Sequence, residues 1–137
     1  KVGKIAVMGY SMGGAGSLQA ANDLGDSIDA AIGLAPWSTS SYLSGIKVPT
    51  MVIVGSRDST ASPSMVHNTF EDLPNDVPQA YAEVYGETHF FWINNRDGSP
   101  ADEYILAWLK YYLSDDSSYY NALVDPPYGI VDYEFNP

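Results

Sequence analysis

The sequence contains no cysteine. This absence excludes disulfide bonds, a thiol nucleophile and cysteine-bound metal centres from its 137 residues. Basic residues are also few, since 6 Lys and Arg stand against 17 Asp and Glu and give a net charge of -11. Such a charge repels nucleic acid and anionic lipid surfaces. No apolar run approaches the length that a membrane-spanning helix needs.

What the sequence does contain is short β-rich runs that alternate with helical stretches. Strands are predicted at residues 4–8, 30–34, 50–54 and 79–85. Helices are predicted at residues 13–24, 64–73 and 101–113. The tail, residues 114–137, is predicted to be coil packed by its aromatic side chains, with room for a short strand near residues 129–133. Alternation of this kind predicts an α/β fold in which helices cover both faces of a mostly parallel sheet.

The predicted sheet is thin, and its first strand reads as a central strand rather than an edge strand. We therefore expect further N-terminal strands in the protein, with residues 1–137 forming the C-terminal part of a single domain. On this expectation, the lack of a signal peptide before the first strand does not bear on where the protein resides.

A serine-centred motif, Gly-Tyr-Ser-Met-Gly at residues 9–13, lies between a predicted strand and a predicted helix. It matches G-x-S-x-G, in which the serine occupies a strained turn and presents its hydroxyl as a nucleophile. Ser11 is the predicted nucleophile. We expect glycine at Gly9 and Gly13 because side chains there would collide with the serine or with each other. We expect glycine at Gly14 because the helix packs close to the strand. The alternative is a glycine-rich turn whose serine caps the helix.

A serine nucleophile needs a base, and the chain offers 2 histidines. His89 follows a predicted strand, and loops beyond the carboxyl ends of strands are where such sites are built. His67 lies inside a predicted helix, where a surface or packing role is expected. The predicted base is therefore His89.

The acid is expected after the third predicted strand, because sites of this kind follow the chain order Ser, Asp or Glu, then His. Asp58 lies there and is predicted to hold the imidazole and stabilise its cation. The rival carboxylates are Asp72, Asp76 and Glu87, of which the last is too close in sequence to His89 to reach its Nδ1. A surface aspartate in a turn is the other interpretation of Asp58.

Several motifs occur together along the whole chain. They are Gly9-Tyr10-Ser11-Met12-Gly13-Gly14, Ala35-Pro36-Trp37, Val48-Pro49-Thr50, Asp58 followed by Ala61 and Pro63, Thr88-His89-Phe90, and Ala107-Trp108-Leu109-Lys110. This combination resembles the bacterial cutinase-like polyesterases, which have the α/β-hydrolase fold and include the poly(ethylene terephthalate) hydrolases.

The resemblance implies a secreted serine carboxylic ester hydrolase that cleaves polyesters and short-chain esters through an acyl-enzyme on Ser11, with no cofactor and no metal. It implies that the N–H of Met12 is one oxyanion-hole donor and that the second donor belongs to an N-terminal half outside this sequence. Trp37, Phe90 and Thr60 would contact the substrate. Core packing is the alternative role for Trp37.

The sequence departs from the family pattern at several places. Tyr10 stands where the family usually has His or Trp, and the family's C-terminal disulfide is missing. Ser56 and Tyr85 occupy the places of calcium-binding carboxylates in some relatives, so no metal site is predicted. A lipase or acetylhydrolase acting on lipid or small esters, and a non-catalytic binding module of the same fold, remain as alternatives.

Overall fold

A computed structural model describes residues 3–37, 42–94 and 98–137 of the chain. Within these ranges five strands are present: β1 (Ala6–Tyr10), β2 (Ala30–Leu34), β3 (Thr50–Gly55), β4 (Gln79–Val84) and β5 (Ile130–Asn136). The same ranges contain the α-helices α1 (Met12–Leu24), α2 (Pro63–Glu71), α3 (Pro100–Leu113) and α4 (Tyr120–Val124). Short 3-10 turns lie at Gly25–Ser27, His89–Trp92 and Ser117–Tyr119.

The strands form one sheet in the order β1-β2-β3-β4-β5. Strands β1 to β4 are parallel to one another, and β5 pairs antiparallel with β4. Every residue of β3 is buried, which is typical of a parallel strand that is covered on both faces. Because β1 to β4 are parallel, their carboxyl ends meet at the same end of the sheet.

Helices cover both faces of the sheet, as predicted. One core joins Leu18 of α1 and Phe70 of α2 to Val52 of β3. The other core joins Trp108 of α3 to Ile53 of the same strand. Neighbouring residues of a strand point to opposite faces, so a single apolar strand contributes to both cores.

The starts of α2 and α3 follow from their capping residues. The Ser62 side chain accepts a hydrogen bond from the backbone N–H of Met65 at 3.3 Å, and Pro63 occupies the first helical position. Ser99 and Asp102 form a reciprocal capping box before α3, where a proline again stands first. Both arrangements satisfy N–H groups that have no partner within the helix.

The tail is more ordered than predicted. The prediction of coil is wrong for α4, and the predicted short strand is a seven-residue strand, β5. The reason is tertiary contact. Leu123 of α4 is fully buried against α3, and its carbonyl accepts a hydrogen bond from the hydroxyl of Tyr104 at 3.3 Å. Phe135 of β5 packs its ring against Trp108 and Tyr120.

The other elements lie within two residues of their predicted bounds. The largest shift is in β1, which continues through Gly9 and Tyr10 because these residues pair with Gly33 and Leu34 of β2. In the described part of the chain β1 is an edge strand, and the expected strands beyond it stay a prediction. None of the helices in the described ranges is long and apolar enough to cross a membrane.

A bulge in β5 places Asp132 in a left-handed conformation. The pairing register slips between Ala82 and Glu83, so that Asp132 is the extra residue, and its φ is 40°. Glycine adopts this conformation without the steric penalty that a Cβ adds. Asp132→Gly is therefore expected to raise the free energy of unfolding by about 0.5–1 kcal/mol, measured by thermal and denaturant unfolding.

Asp125→Gly is the matched control, because it removes the same charge at an exposed residue whose φ is -127°. That variant is expected to be neutral or slightly destabilised, since glycine gains only unfolded-state freedom there. Equal stabilisation by both variants would assign the effect to the net charge of the protein instead of the bulge.

Candidate active site

Ser11 lies in the sharp turn between β1 and α1. Its φ of 55° and ψ of -119° are outside the regions that non-glycine residues ordinarily adopt. A Cβ at Gly9 would lie 2.1 Å from the carbonyl oxygen of Gly13, and a Cβ at Gly14 would lie 3.0 Å from that of Gly9. The turn is therefore closed by backbone packing at these two glycines.

The steric reason predicted for a glycine at Gly13 is wrong. A Cβ at Gly13 would meet nothing within 4 Å. The crowding at this turn is one-sided, because a side chain at Gly9 would collide with the backbone of Gly13 while a Cβ at Gly13 would have open space around it. A local sequence pattern shows both glycines alike and does not reveal this asymmetry.

Backbone hydrogen bonds tie the Ser11 turn to the end of β2. The N–H of Ser11 donates to the carbonyl of Leu34, and the carbonyl of Ser11 accepts from the N–H of Trp37, both at 2.9 Å. Between these two partners, Ala35 adopts a φ of 43°. The Ser11 side chain makes no capping hydrogen bond to α1, so the alternative of a helix-capping serine is wrong.

The Ser11 hydroxyl contacts His89 instead. Ser11 Oγ lies 2.9 Å from His89 Nε2, and His89 Nδ1 lies 2.7 Å from Asp58 Oδ2. A carboxylate only accepts hydrogen bonds, so Nδ1 carries the proton in this contact. In the neutral imidazole Nε2 is then unprotonated and accepts a hydrogen bond from the Ser11 hydroxyl. The three predicted residues thus form one continuous hydrogen-bonded chain.

Asp58 is held from its other side by its own loop. Its Oδ1 accepts hydrogen bonds from the N–H groups of Thr60 and Ala61, each at 2.8 Å. The Asp58 side chain is fully buried and that of His89 is 8% exposed. These two hydrogen bonds fix the orientation of the carboxylate. Asp58 is therefore not a surface turn residue.

Besides the contact between the two side chains, three hydrogen bonds join the loops that carry Asp58 and His89. Ser56 N–H donates to the carbonyl of Val84, Arg57 N–H donates to the carbonyl of Glu87, and Gly86 N–H donates to Ser56 Oγ, with distances of 2.8–2.9 Å. Glu87, a rival for the acid, takes part through its backbone carbonyl.

Gly55 makes this approach of the two loops feasible. A Cβ at Gly55 would lie 2.3 Å from the carbonyl oxygen of Glu87. Sequence reasoning missed this role and that of Ser56. The only available signal was a glycine placed directly between a buried strand and the Asp58 loop.

The residues predicted to form the oxyanion hole and the substrate groove lie next to Ser11, Asp58 and His89 in the structure. Met12 is the first residue of α1 and is 71% exposed, and N–H groups of a first helical turn have no partner within the helix. Trp37 is 44% exposed and Phe90 is 59% exposed. Thr60 is also exposed. The exposure of Trp37 argues against plain core packing.

Tyr10 is a further residue at the site whose role the sequence did not indicate. Its ring centroid lies 5.1 Å from that of His89, at an interplanar angle of 40°. Burial, and after it the negative charge of Asp58, raises the pKa of the Tyr10 phenol above its ordinary value. The phenol therefore remains protonated and uncharged through the neutral pH range.

His67 lies elsewhere, on α2. Its Nε2 is 2.6 Å from Glu134 Oε1 of β5, and its ring packs edge-on against Tyr81 at a centroid distance of 4.8 Å. These contacts join α2 to the sheet, in agreement with the packing role expected for this histidine. Across residues 3–37, 42–94 and 98–137, no group of three His, Asp or Glu residues is arranged to hold a metal ion.

The hydrogen-bonded chain predicts a selectively reactive serine. Diethyl p-nitrophenyl phosphate is expected to modify Ser11, with an Oγ–P bond replacing the bond to p-nitrophenolate while His89 accepts the hydroxyl proton. His89→Ala should slow this labelling by about a thousand-fold or more, as followed by p-nitrophenolate release and mass spectrometry.

His67→Ala is the matched control, since it removes the other histidine without touching Ser11. Its labelling rate is expected to equal that of the unmodified protein. A loss in His67→Ala as large as that in His89→Ala would contradict the assignment of the base.

Comparison with known proteins assigns the chain to a family. A family profile described as "PETase: PET hydrolase-like" matches residues 1–135. Cutinase 2 of Thermobifida cellulosilytica is 36% identical over 126 residues, which are 90% of this chain and 47% of that protein. Cutinase cut1 of Thermobifida fusca is likewise 36% identical over 126 residues, which are 90% of this chain and 38% of that protein.

A bis(hydroxyethyl) terephthalate hydrolase of Streptomyces coelicolor is 35% identical over 127 residues, covering 91% of this chain and 40% of that protein. The chain thus spans less than half the length of these relatives. The mostly parallel sheet with helices on both faces is the α/β-hydrolase fold. The chain belongs to the PET hydrolase-like family.

Proposed function

We propose that the protein containing this chain is a serine carboxylic ester hydrolase, with Ser11 as nucleophile, His89 as base and Asp58 as the acid. The observation that carries this proposal is the continuous chain of hydrogen bonds from Ser11 Oγ through His89 to Asp58. The names of the relatives, cutinases and a bis(hydroxyethyl) terephthalate hydrolase, support an ester as the substrate.

The proposed reaction proceeds in two steps on Ser11. His89 Nε2 takes the hydroxyl proton as Ser11 Oγ attacks the ester carbonyl, and the same proton then passes to the departing alcohol. Water, activated by His89, next attacks the acyl-enzyme and releases the acid. Asp58 stabilises the imidazolium that forms in each step.

The developing oxyanion is expected to be stabilised by the backbone N–H of Met12. This group lies at the N-terminus of α1, where the helix dipole favours negative charge. Acyl transfer of this type ordinarily uses more than one donor. The proposal of a second donor in an N-terminal half, and of a single domain to which residues 1–137 contribute the C-terminal part, rests on the family resemblance.

The proposed substrates are polyesters and short-chain esters. The exposed apolar side chains beside Ser11 support this assignment, because an uncharged polymer segment buries apolar surface when it lies against them. Trp37 is tied to the Ser11 turn by its N–H, so its backbone is fixed relative to the nucleophile. Thr60 and Phe90 are proposed to contact the substrate as well. Secretion of the protein stays a prediction.

The nucleophile is tested by Ser11→Ala. We expect this variant to release p-nitrophenol from p-nitrophenyl acetate about a million-fold more slowly than the unmodified protein, because loss of the nucleophile removes the acyl-enzyme path. Rapid quenching of the unmodified protein should also reveal an acylated Ser11 by mass spectrometry. Retention of substantial activity in Ser11→Ala, or acylation of another residue, would overturn the proposal.

The substrate class is tested by Trp37→Ala. An aromatic contact contributes about 0.5–1.5 kcal/mol beyond burial, which is at most roughly a tenfold effect on rate. A polymer segment must lie along the ring, whereas p-nitrophenyl acetate barely reaches it. We therefore expect hydrolysis of a polyester film to fall several-fold more than hydrolysis of the small ester.

Two variants serve as controls for that experiment. Trp37→Phe keeps an aromatic ring and should retain more film hydrolysis than Trp37→Ala. Tyr133→Ala removes an exposed ring of β5 and should leave the hydrolysis of both substrates unchanged. Equal losses on film and small ester in Trp37→Ala would assign Trp37 to structure. Absence of film hydrolysis by the unmodified protein would favour an esterase for lipid or small esters.

A further inference from the structure

The imidazole of His89 is contacted by aromatic rings as well as by its two hydrogen-bond partners. Tyr10 packs against it with the rings tilted by 40°, at a centroid distance of 5.1 Å. Phe90 meets it edge-on, with an interplanar angle of 81° and a centroid distance of 6.0 Å. Phe90 is largely exposed, whereas Tyr10 is half-buried and packs against the core beneath the site.

Tyr10 is rigidly placed with respect to the nucleophile. It is the last residue of β1, paired with Leu34 of β2, and it immediately precedes Ser11. The N–H of Ser11 donates to the carbonyl of the same Leu34. The Tyr10 ring and the Ser11 hydroxyl therefore start from one hydrogen-bonded segment, while His89 reaches them from the loop after β4.

We propose that Tyr10 is a positioning residue that holds the imidazole of His89 in line between Ser11 and Asp58. The proposal rests on the serine hydrolase function proposed above. The family resemblance does not imply this positioning role, since tyrosine differs from the residues that the family usually has at this place. The role is assigned from the ring contact, and it differs from a role in binding the substrate.

Two hydrogen bonds on opposite sides of an imidazole do not restrain every motion of the ring. The bonds from Nδ1 to Asp58 and from Nε2 to Ser11 fix the two nitrogens, but the ring can still rock about the line that joins them. A ring packed against the imidazole opposes this rocking. The π-electrons of Tyr10 also attract the imidazolium that forms when His89 takes the serine proton.

The contact is expected to act on kcat and to be independent of the substrate. His89 moves a proton in both acylation and deacylation, so Tyr10→Ala should slow both. We expect a loss of roughly three- to tenfold in kcat for p-nitrophenyl acetate, with KM nearly unchanged. Modification of Ser11 by diethyl p-nitrophenyl phosphate should slow by a similar factor, because that reagent depends on the same proton transfer.

Tyr10→Phe separates the ring from its hydroxyl. This variant keeps the packed ring and should restore most of the rate lost in Tyr10→Ala. Tyr128→Ala, which removes a fully exposed tyrosine, should leave both rates unchanged. Thermal unfolding and circular dichroism of each variant identify any loss that comes from unfolding, and rates are compared at temperatures where every variant is folded.

Three results would overturn the proposal. A rise in KM with unchanged kcat would make Tyr10 a substrate contact. A loss in Tyr10→Phe equal to that in Tyr10→Ala would give the role to the hydroxyl. Unchanged labelling of Ser11 in Tyr10→Ala would show that the ring does not support His89. Because labelling uses a phosphate triester and no carboxylic ester, a protein that is labelled but hydrolyses no carboxylic ester would refute the proposed function and leave the positioning role standing.

Discussion

The backbone conformation of Ser11 is the constraint on which the rest of the site depends. A φ of 55° and ψ of -119° at a serine carry a strain of about 1–3 kcal/mol. The hydrogen bonds to Leu34 and Trp37 offset part of it, since each contributes about 0.5–1.5 kcal/mol. The strained turn directs Oγ away from α1 and toward His89. It also leaves the N-terminus of α1 open beside the hydroxyl.

The strain is tolerated because the pairing of β1 with β2 and the hydrogen bonds to the end of β2 hold the turn. β1 and β2 pair along their full length, and Gly9 and Gly14 permit backbone contacts that a side chain would block. The same turn fixes the start of the segment that carries Trp37. A single local conformation thus determines the direction of the nucleophile and the backbone position of Trp37, which is proposed to contact the substrate.

Asp58 and His89 reach the nucleophile through a second set of backbone contacts. Their loops follow the adjacent parallel strands β3 and β4, and the approach at Gly55 joins them. Burial of the Asp58–His89 pair strengthens the attraction between the carboxylate and a protonated imidazole, because water is excluded from it. The rings of Tyr10 and Phe90 also pack against His89. The chemistry proposed for Ser11 therefore depends on the whole carboxyl end of the sheet.

The sequence by itself determined most of the elements and indicated the three side chains that form the hydrogen-bonded chain. Buried strands such as β3 read directly as apolar runs, and G-x-S-x-G with a later Asp and His after strands specifies a chain order that few other sites share. The prediction from sequence was wrong where the contacts that stabilise an element are long-range. α4 and β5 carry no strong period, and their structure comes from burial against α3 and pairing with β4.

Only the tertiary structure decided how the side chains are held. The one-sided crowding at Gly9, the approach of Gly55 to Glu87 and the packing of Tyr10 against His89 all join residues that are adjacent in space. Tyr10 and His89 are far apart in the chain, and no local pattern encodes their separation or angle. Periodicity and motif spacing report the backbone path of each segment, whereas contacts between segments arise when the sheet brings its carboxyl ends together.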